Sequence, residues 1–213
     1  MVEAVTCMDN LLLLITALLL GYLAGSFPTA YIVGKVRSGI DIRDHGTKNM
    51  GASNVHLVFG IVYGAAVMVI DTAKGLIAVL IGRWLVPDVA WVPYAAGTMA
   101  VFGHVFPIFA GFRGGKGAAT IAGVALGIHF LLGLGVLAVY GVIGFIVNTL
   151  AISSMLGFLL IPVVVFLSSA PWPAVLWSAA ASALCIYRHW PNLQRYRRGE
   201  EIRFRDGLLR KQR

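Results

Sequence analysis

Long apolar runs, broken by a few short polar segments, dominate the chain. The first run extends from about residue 10 to residue 34, and Ser26-Phe27-Pro28 predicts a kink in it. A second run starts near Ser53 and continues to about Leu85, interrupted by Asp71 and Lys74. The turn Val86-Pro87-Asp88 precedes a third run from about residue 89 to residue 109. Beyond the loop at 110–117, four more helices are expected at about 118–131, 134–147, 151–168 and 172–187. Several runs reach the roughly 18 to 20 residues that cross a bilayer core. They are continuous rather than alternating, which disfavours a β-barrel. The fourth and fifth helices are short for spans and leave two options with the same sidedness, seven crossings or five with a re-entrant pair, the latter tolerable only inside protein. The pattern therefore predicts an all-α, polytopic integral membrane bundle of about seven helices. Residues 1–213 form one transmembrane domain with a basic tail at 188–213.

Composition agrees. Hydrophobic residues make up 59% of the 213 and charged residues 12%, half the usual share of a soluble domain. Mean hydropathy is +0.84. The start is acidic (Glu3, Asp9), so the first apolar run reads as a span and not as a cleaved signal. Formal net charge is +8, and its placement matters more than its size. Residues 188–213 hold eight Arg and one Lys against three acids, and Lys35, Arg37, Arg43 and Lys48 fall between 35 and 49. Basic loops stay cytoplasmic. Seven helices then put the N-terminus outside and the C-terminus inside, and gather the loops at 35–52, 110–117 and 148–150 with the tail on the cytoplasmic face; Arg83 is the exception. A basic tail beside a bilayer attracts anionic head groups. Nucleic acid is not an expected partner, because the basic segments flank spans and build no domain of their own. Cys7 and Cys185 sit at opposite ends of the chain, outside any metal-like spacing.

Five polar clusters could carry chemistry. In "IRDHGTKNMGASN" (42–54), Arg43, Thr47, Lys48, Asn49 and Asn54 are interleaved with Gly46 and Gly51. Glycine lets backbone N–H groups close on an anion, and Ser53 or Asn54 could cap the next helix; a solvated turn explains the same residues. "DTAKG" puts Asp71 and Lys74 three residues apart inside a span, which suits an internal ion pair or a lysine facing an anionic ligand. "GHVFPIFAGFRGGKGAAT" (103–120) sets His104, Arg113 and Lys116 among Gly114, Gly115 and Gly117 at a helix start. It fails the Walker A pattern, since Ala110 and Gly117 occupy the places of the first glycine and the Ser/Thr. It still suits phosphate, with N–H donors, a helix N-terminus and a point charge. "NTLAISS" (148–154) contains Thr149, and hydroxyls there also suit helix packing. "YRHWPNLQRYRRGEE" (187–201) places Arg188, His189 and Asn192 where the last helix leaves the bilayer; a snorkelling basic tail is the plainer reading.

Missing patterns narrow the chemistry. No histidine is followed five residues later by aspartate, there is no Gly-x-Ser-x-Gly elbow, and no carboxylate cluster suits a metal. An enzyme built from these residues works by positioning and charge stabilisation.

Taken together, the clusters resemble the bacterial membrane glycerol-3-phosphate acyltransferases that use acyl phosphate. That family's first motif is approximately Gly-Ser-Gly-Asn-x-Gly-Ala-Thr-Asn, and residues 46–54 read GTKNMGASN. "DTAKG" looks like its Asp-x-x-Lys-Gly. Residues 103–120 look like its Gly-His…Phe-Lys-Gly-Gly-Lys-Gly-x-Ala-Thr, with Arg113 for the first lysine. Residues 188–201 are similar to its Arg-His-x-x-Asn…Gly-x-Glu, and "SFPTAYIVGK" also fits. The motifs occur in family order across about residues 21–201. Lys48 in place of a glycine is the main departure; Thr47, Ser53 and Thr149 exchange one hydroxyl for another. The resemblance implies acyl transfer from acyl phosphate to glycerol 3-phosphate, giving lysophosphatidic acid and inorganic phosphate, as the first acylation of phospholipid synthesis. It implies an active site on the cytoplasmic face of the cell (inner) membrane, no cofactor or metal, and, as partners, both substrates, membrane lipid and the enzyme that supplies acyl phosphate. Lys116, Arg113 and the loop amides would hold the leaving phosphate; Thr47, Asn49 and Lys74 would hold a phosphate; His189 and Asn192 would place the glycerol end or polarise the carbonyl. Arg43, Gly46, Gly51, Asn54, His104, Gly114, Gly115, Gly117, Thr149 and Arg188 complete the expected site, with Lys116, His189, Asn192 and Thr47 as its catalytic residues. A transporter or channel for an organic phosphate and a structural membrane protein are the alternatives.

Overall fold

The computed structural model describes residues 2–201 and 203, and side chains from residue 10 onward except Leu150. Nine α-helices make up the described chain: α1 (Val2–Ser26), α2 (Thr29–Ser38), α3 (Ala52–Phe59), α4 (Ile61–Leu85), α5 (Val92–Val105), α6 (Ala118–Ile128), α7 (Phe130–Val147), α8 (Leu150–Leu167) and α9 (Trp172–Arg197). Single 3-10 turns lie at Ile42–Asp44 and Ile108–Ala110. There are no strands among the described residues.

The helices are inside out relative to a soluble protein. Leu12, Leu19, Val62, Val69, Leu131, Ile146, Leu159 and Phe166 are large, apolar and exposed, while Asp71, Lys74, His104 and Asn192 are buried. Four segments are long and apolar enough to cross a membrane: Asn10–Ser38, Ile61–Leu85, Val92–Ala110 and Phe130–Val147. The protein is multi-pass. Hydrophobicity cannot drive helices together in lipid, so small residues at the contacts do the work through close packing. Gly21 and Gly25 of α1 lie directly on the Ala96 and Ala100 carbonyls of α5, where a Cβ would come within 2.5 and 2.0 Å. α4 is the central helix, packed on α1, α5 and α6; α9 closes the bundle against α5 and α8.

Several helix boundaries differ from those the hydrophobic pattern predicts. Ser26-Phe27-Pro28 breaks the first helix into two instead of kinking it. The second break falls at Gly60 (φ 93°), not at Asp71 and Lys74. α4 runs unbroken through both, because each ionic group finds a partner inside the bundle. The third helix is shorter than expected at both ends, 92–105, and a 3-10 turn follows. His129 sits in extended conformation between α6 and α7, so the fourth helix stops three residues early and the fifth starts four early. At 18 residues α7 is long enough to cross, so of the expected short pair only α6 is short. The last helix continues to Arg197, ten residues past its expected end and through Pro191. Much of the supposed tail is therefore helix; its last ten residues lie outside the described chain.

Candidate active site

One end of the bundle gathers the loop at 42–51, the loop at 110–117 and the last turns of α9. The first loop is organised by one side chain. Asn54, fully buried, donates through Nδ2 to the carbonyls of Ile42 (2.9 Å), His45 (3.0 Å) and Asn49 (2.9 Å) and accepts from the Thr47 N–H (2.7 Å). With its amide engaged on both sides, Asn54 shapes the loop and does not itself face a substrate. Gly46 stands over this knot at φ 57°, and a Cβ there would meet Asn54 Oδ1 at 2.3 Å. Thr47 and Asn49 are half-buried on the loop, and Gly51 opens α3.

Lys48 also lies in the left-handed region, at φ 60°, and its side chain is exposed. Glycine adopts this conformation freely, whereas an L side chain costs about 1–2 kcal/mol in it. Lys48 points out of the site. Lys48→Gly should raise stability by about 0.5–1 kcal/mol, net of the freedom glycine gains when unfolded, with transfer activity unchanged. Thermal unfolding and an initial-rate assay on the same preparation check both halves.

The second loop is tied to α5. Gly114 N–H donates to the Val105 carbonyl (3.1 Å) and Gly115 N–H to the His104 carbonyl (3.0 Å). These two amides are therefore used by the protein, a correction to the expectation that they line an anion nest. Gly115 must be glycine for space: a Cβ would fall 2.1 Å from His104 Nε2 and 2.6 Å from the Met50 carbonyl. That contact joins the two loops. Arg43 makes the other joint. It forks onto Asp41 (Nε–Oδ1 2.9 Å, Nη2–Oδ2 2.7 Å), donates to the Ala110 carbonyl (2.7 Å) and the Arg113 carbonyl (3.3 Å), and lies over Tyr31. The Arg43 guanidinium holds the Asp41 carboxyl down at about 2, and Asp41 in turn raises Arg43. Arg43 is a loop clamp more than a phosphate ligand. The Arg113 side chain is exposed.

α9 lays one face on the glycine loop. Cys185, Arg188, His189 and Asn192 fall at i, i+3, i+4 and i+7, the spacing of a single helical stripe. The Cys185 thiol packs on Gly117, where a Cβ would come within 2.7 Å. Arg188 Nη2 donates to the Gly114 carbonyl (3.4 Å). His189 Nδ1–H donates to the Cys185 carbonyl (2.8 Å), which fixes the tautomer and leaves the Nε2 lone pair as an acceptor. Lys116 Nζ donates to Asn192 Oδ1. Asn192 Nδ2 donates to Glu201 Oε1 (2.6 Å), and Arg195 Nε donates to Glu201 Oε2 (2.9 Å). Burial lowers Lys116 to about 8, opposed by the Glu201 carboxylate and reinforced by Arg195 and Arg188.

Beneath this layer, Asp71 accepts from Thr29 Oγ1 (2.9 Å) and from Lys74 Nζ (2.9 Å), and Lys74 donates to the Phe27 carbonyl (3.1 Å) at the α1–α2 break. His104 Nδ1 is 3.9 Å from the same carboxylate. Lys74 thus joins helices, the ion-pair reading of its motif; the double variant Asp71→Leu with Lys74→Met separates that role from its expected place on a substrate phosphate. Thr149 is the buried residue that opens α8 and belongs to none of these contacts. No cluster of three or more His, Cys, Asp or Glu suited to a metal occurs among the described residues. Asp41 and Glu201 are the site residues that sequence reasoning missed. Glu201 stood inside a quoted motif, but only the return of the chain after α9 shows that it touches Asn192.

The geometry has close counterparts in known proteins. The family model described as glycerol-3-phosphate acyltransferase matches residues 15–199. The chain belongs to that family. Among curated relatives, the glycerol-3-phosphate acyltransferase of Acaryochloris marina is 35% identical, covering 87% of this chain and 90% of its own. That of Thermosynechococcus vestitus is 37% identical (87% and 92%), and that of Bacillus velezensis 38% (86% and 94%). Crystal structures of PlsY, an integral membrane glycerol 3-phosphate acyltransferase, superpose in the glycerol 3-phosphate form with TM-score 0.83 at 33% identity, covering 92% of this chain and 95% of that one. The lysophosphatidic acid form gives TM-score 0.83 at 30% identity. Family membership makes this chain an acyltransferase.

Proposed function

We propose that the protein transfers an acyl group from acyl phosphate to glycerol 3-phosphate, releasing lysophosphatidic acid and inorganic phosphate at the cytoplasmic face of the inner membrane. The observation that carries this reading is the contact of Lys116 with Asn192 on a loop that Arg43, Arg188 and Gly115 hold in place. It puts a half-buried cation, an amide and an imidazole acceptor together at one end of an apolar bundle, where a phosphate can meet the site from water and an acyl tail from lipid. The acyl donor is a mixed anhydride with a good leaving group, so no protein nucleophile is needed. The glycerol hydroxyl oxygen forms a bond to the acyl carbon, the carbon–oxygen bond to phosphate breaks, and the hydroxyl proton leaves with a phosphate oxygen. Lys116 and the N-terminus of α6 stabilise the phosphate charge. His189 Nε2 and Asn192 orient the glycerol end, and Thr47 and Asn49 line the first loop beside it. The product is the first acylated intermediate of phospholipid synthesis.

The test is direct. Purified protein in lipid, given acyl phosphate and labelled glycerol 3-phosphate, should yield labelled lysophosphatidic acid with one phosphate released per acyl group. No labelled product from the wild-type protein would sink the reading. Product from a thioester donor alone would change the donor and keep the acceptor.

A further inference from the structure

The end of the bundle opposite Lys116 carries a cavity that the proposed reaction does not use. α6 runs the 11 residues from Ala118 to Ile128, about 16 Å at the usual helical rise, and the cavity begins where it stops. Its volume is about 720 Å³, between the starts of α5 and α7 and the end of α8. This is within the ordinary range of ligand pockets, about 300–1,000 Å³. The wall is largely apolar, with Val136 and Val165 buried and Leu160 exposed. Polar groups (Tyr94, His129, Ser168) stand where the helices end. None of its lining residues belongs to the candidate active site, where the buried Phe158 packs on His189 and Cys185 on Gly117.

Arg83 stands at the same end and departs from the charge pattern of every basic loop. Its Nη2 donates to the Ile128 carbonyl (2.6 Å), next to His129, and its charge reaches Tyr94. The side chain is exposed, and no ion pair neutralises it among the described residues; Asp88, in the neighbouring loop, is not joined to it. The apolar part of the lining suits hydrocarbon better than water, which needs two or more polar partners. An acyl chain fits the walls. A phosphate fits the rim, because a guanidinium with free N–H groups prefers that partner.

We propose that this cavity is a second lipid site: it seats an acyl chain of an anionic phospholipid whose phosphate lies against Arg83 and His129. The site takes a bilayer lipid and not the substrate's acyl tail. Native mass spectrometry of protein purified from bilayers of equal phosphatidylglycerol and phosphatidylcholine with matched chains tests it. Both lipids carry the phosphodiester, but choline sets a cation beside Arg83 and offsets the phosphate charge, so the wild type should retain phosphatidylglycerol about tenfold over phosphatidylcholine. Arg83→Gln should erase that preference. Gly135 lines the cavity, and nothing lies within 4 Å of the place its Cβ would take. Gly135→Phe therefore grows into the space and should release the retained lipid while the KM for acyl phosphate stays unchanged. Equal retention of both lipids by the wild type overturns the proposal, as does full retention in Gly135→Phe. A raised KM for acyl phosphate in that variant overturns it too, by giving the cavity to the substrate. If Gly135→Phe does not fold, the exposed Arg83→Gln decides alone: an unchanged preference refutes the headgroup contact.

Discussion

Lys116→Ala is expected to lower kcat/KM for acyl transfer by about 100- to 1000-fold, the usual effect of removing one preorganised partner of developing charge. The side chain is held by Asn192 from α9 and sits beside the start of α6, so its loss removes charge without moving the backbone. The protein should fold and unfold at nearly the same temperature. A second measurement isolates the charge itself. Burial brings Lys116 to about 8 in the free enzyme. It is cationic below that pH and neutral above. kcat/KM reports the free enzyme, so it should be level between pH 6.5 and 7.5 and fall above about 8, approaching tenfold per pH unit. Lys116→Arg keeps its charge throughout this range and should remove the alkaline fall while lowering the plateau, because a planar fork does not replace a point charge. A wild-type profile level to pH 10 would show that Lys116 titration does not govern the reaction.

The motifs were legible as polar islands in an apolar chain, and helix parity put the loops at 42–54 and 110–117 on one face with the end of the last helix. Their internal division of labour was not. A span that contains Asp71 and Lys74 reads as interrupted, because isolated charges in lipid are costly. Only the fold shows Thr29 and the Phe27 carbonyl arriving from the α1–α2 break to satisfy them. The glycines of the second loop read as an anion nest. In the structure Gly114 and Gly115 give their N–H groups to α5, and Gly115 is glycine because His104 and Met50 leave no room. Asn54 and Arg43 read as ligands by residue type, yet their partners are carbonyls that no spacing rule predicts. Helix ends were hardest where the signal was weakest: Gly60 and His129 break helices inside continuous apolar runs, and α9 carries basic residues past the point where hydropathy ends.

The buried pair supplies the other large effect, and it separates two readings of Lys74. Asp71→Ala leaves a lysine, 7% exposed, with no carboxylate beside it, and should cost about 3–5 kcal/mol, as removing one partner of a buried ion pair does. Replacing both partners by apolar residues of similar size removes the unpaired charge with its partner and is often neutral. Asp71→Leu with Lys74→Met should therefore recover most of the loss, apart from the hydrogen bonds to Thr29 Oγ1 and the Phe27 carbonyl. Chemical unfolding in detergent of the single and double variants measures both. Activity then assigns the lysine. If Lys74 joins α4 to the α1–α2 break, as its contacts have it, the double variant transfers acyl groups within a few-fold of the wild type. If Lys74 instead holds a substrate phosphate, the double variant is stable and inactive, with KM for glycerol 3-phosphate or acyl phosphate raised at least tenfold. The two outcomes diverge because the ion pair faces inward: its role in packing can be restored by apolar atoms, and a role in binding an anion cannot.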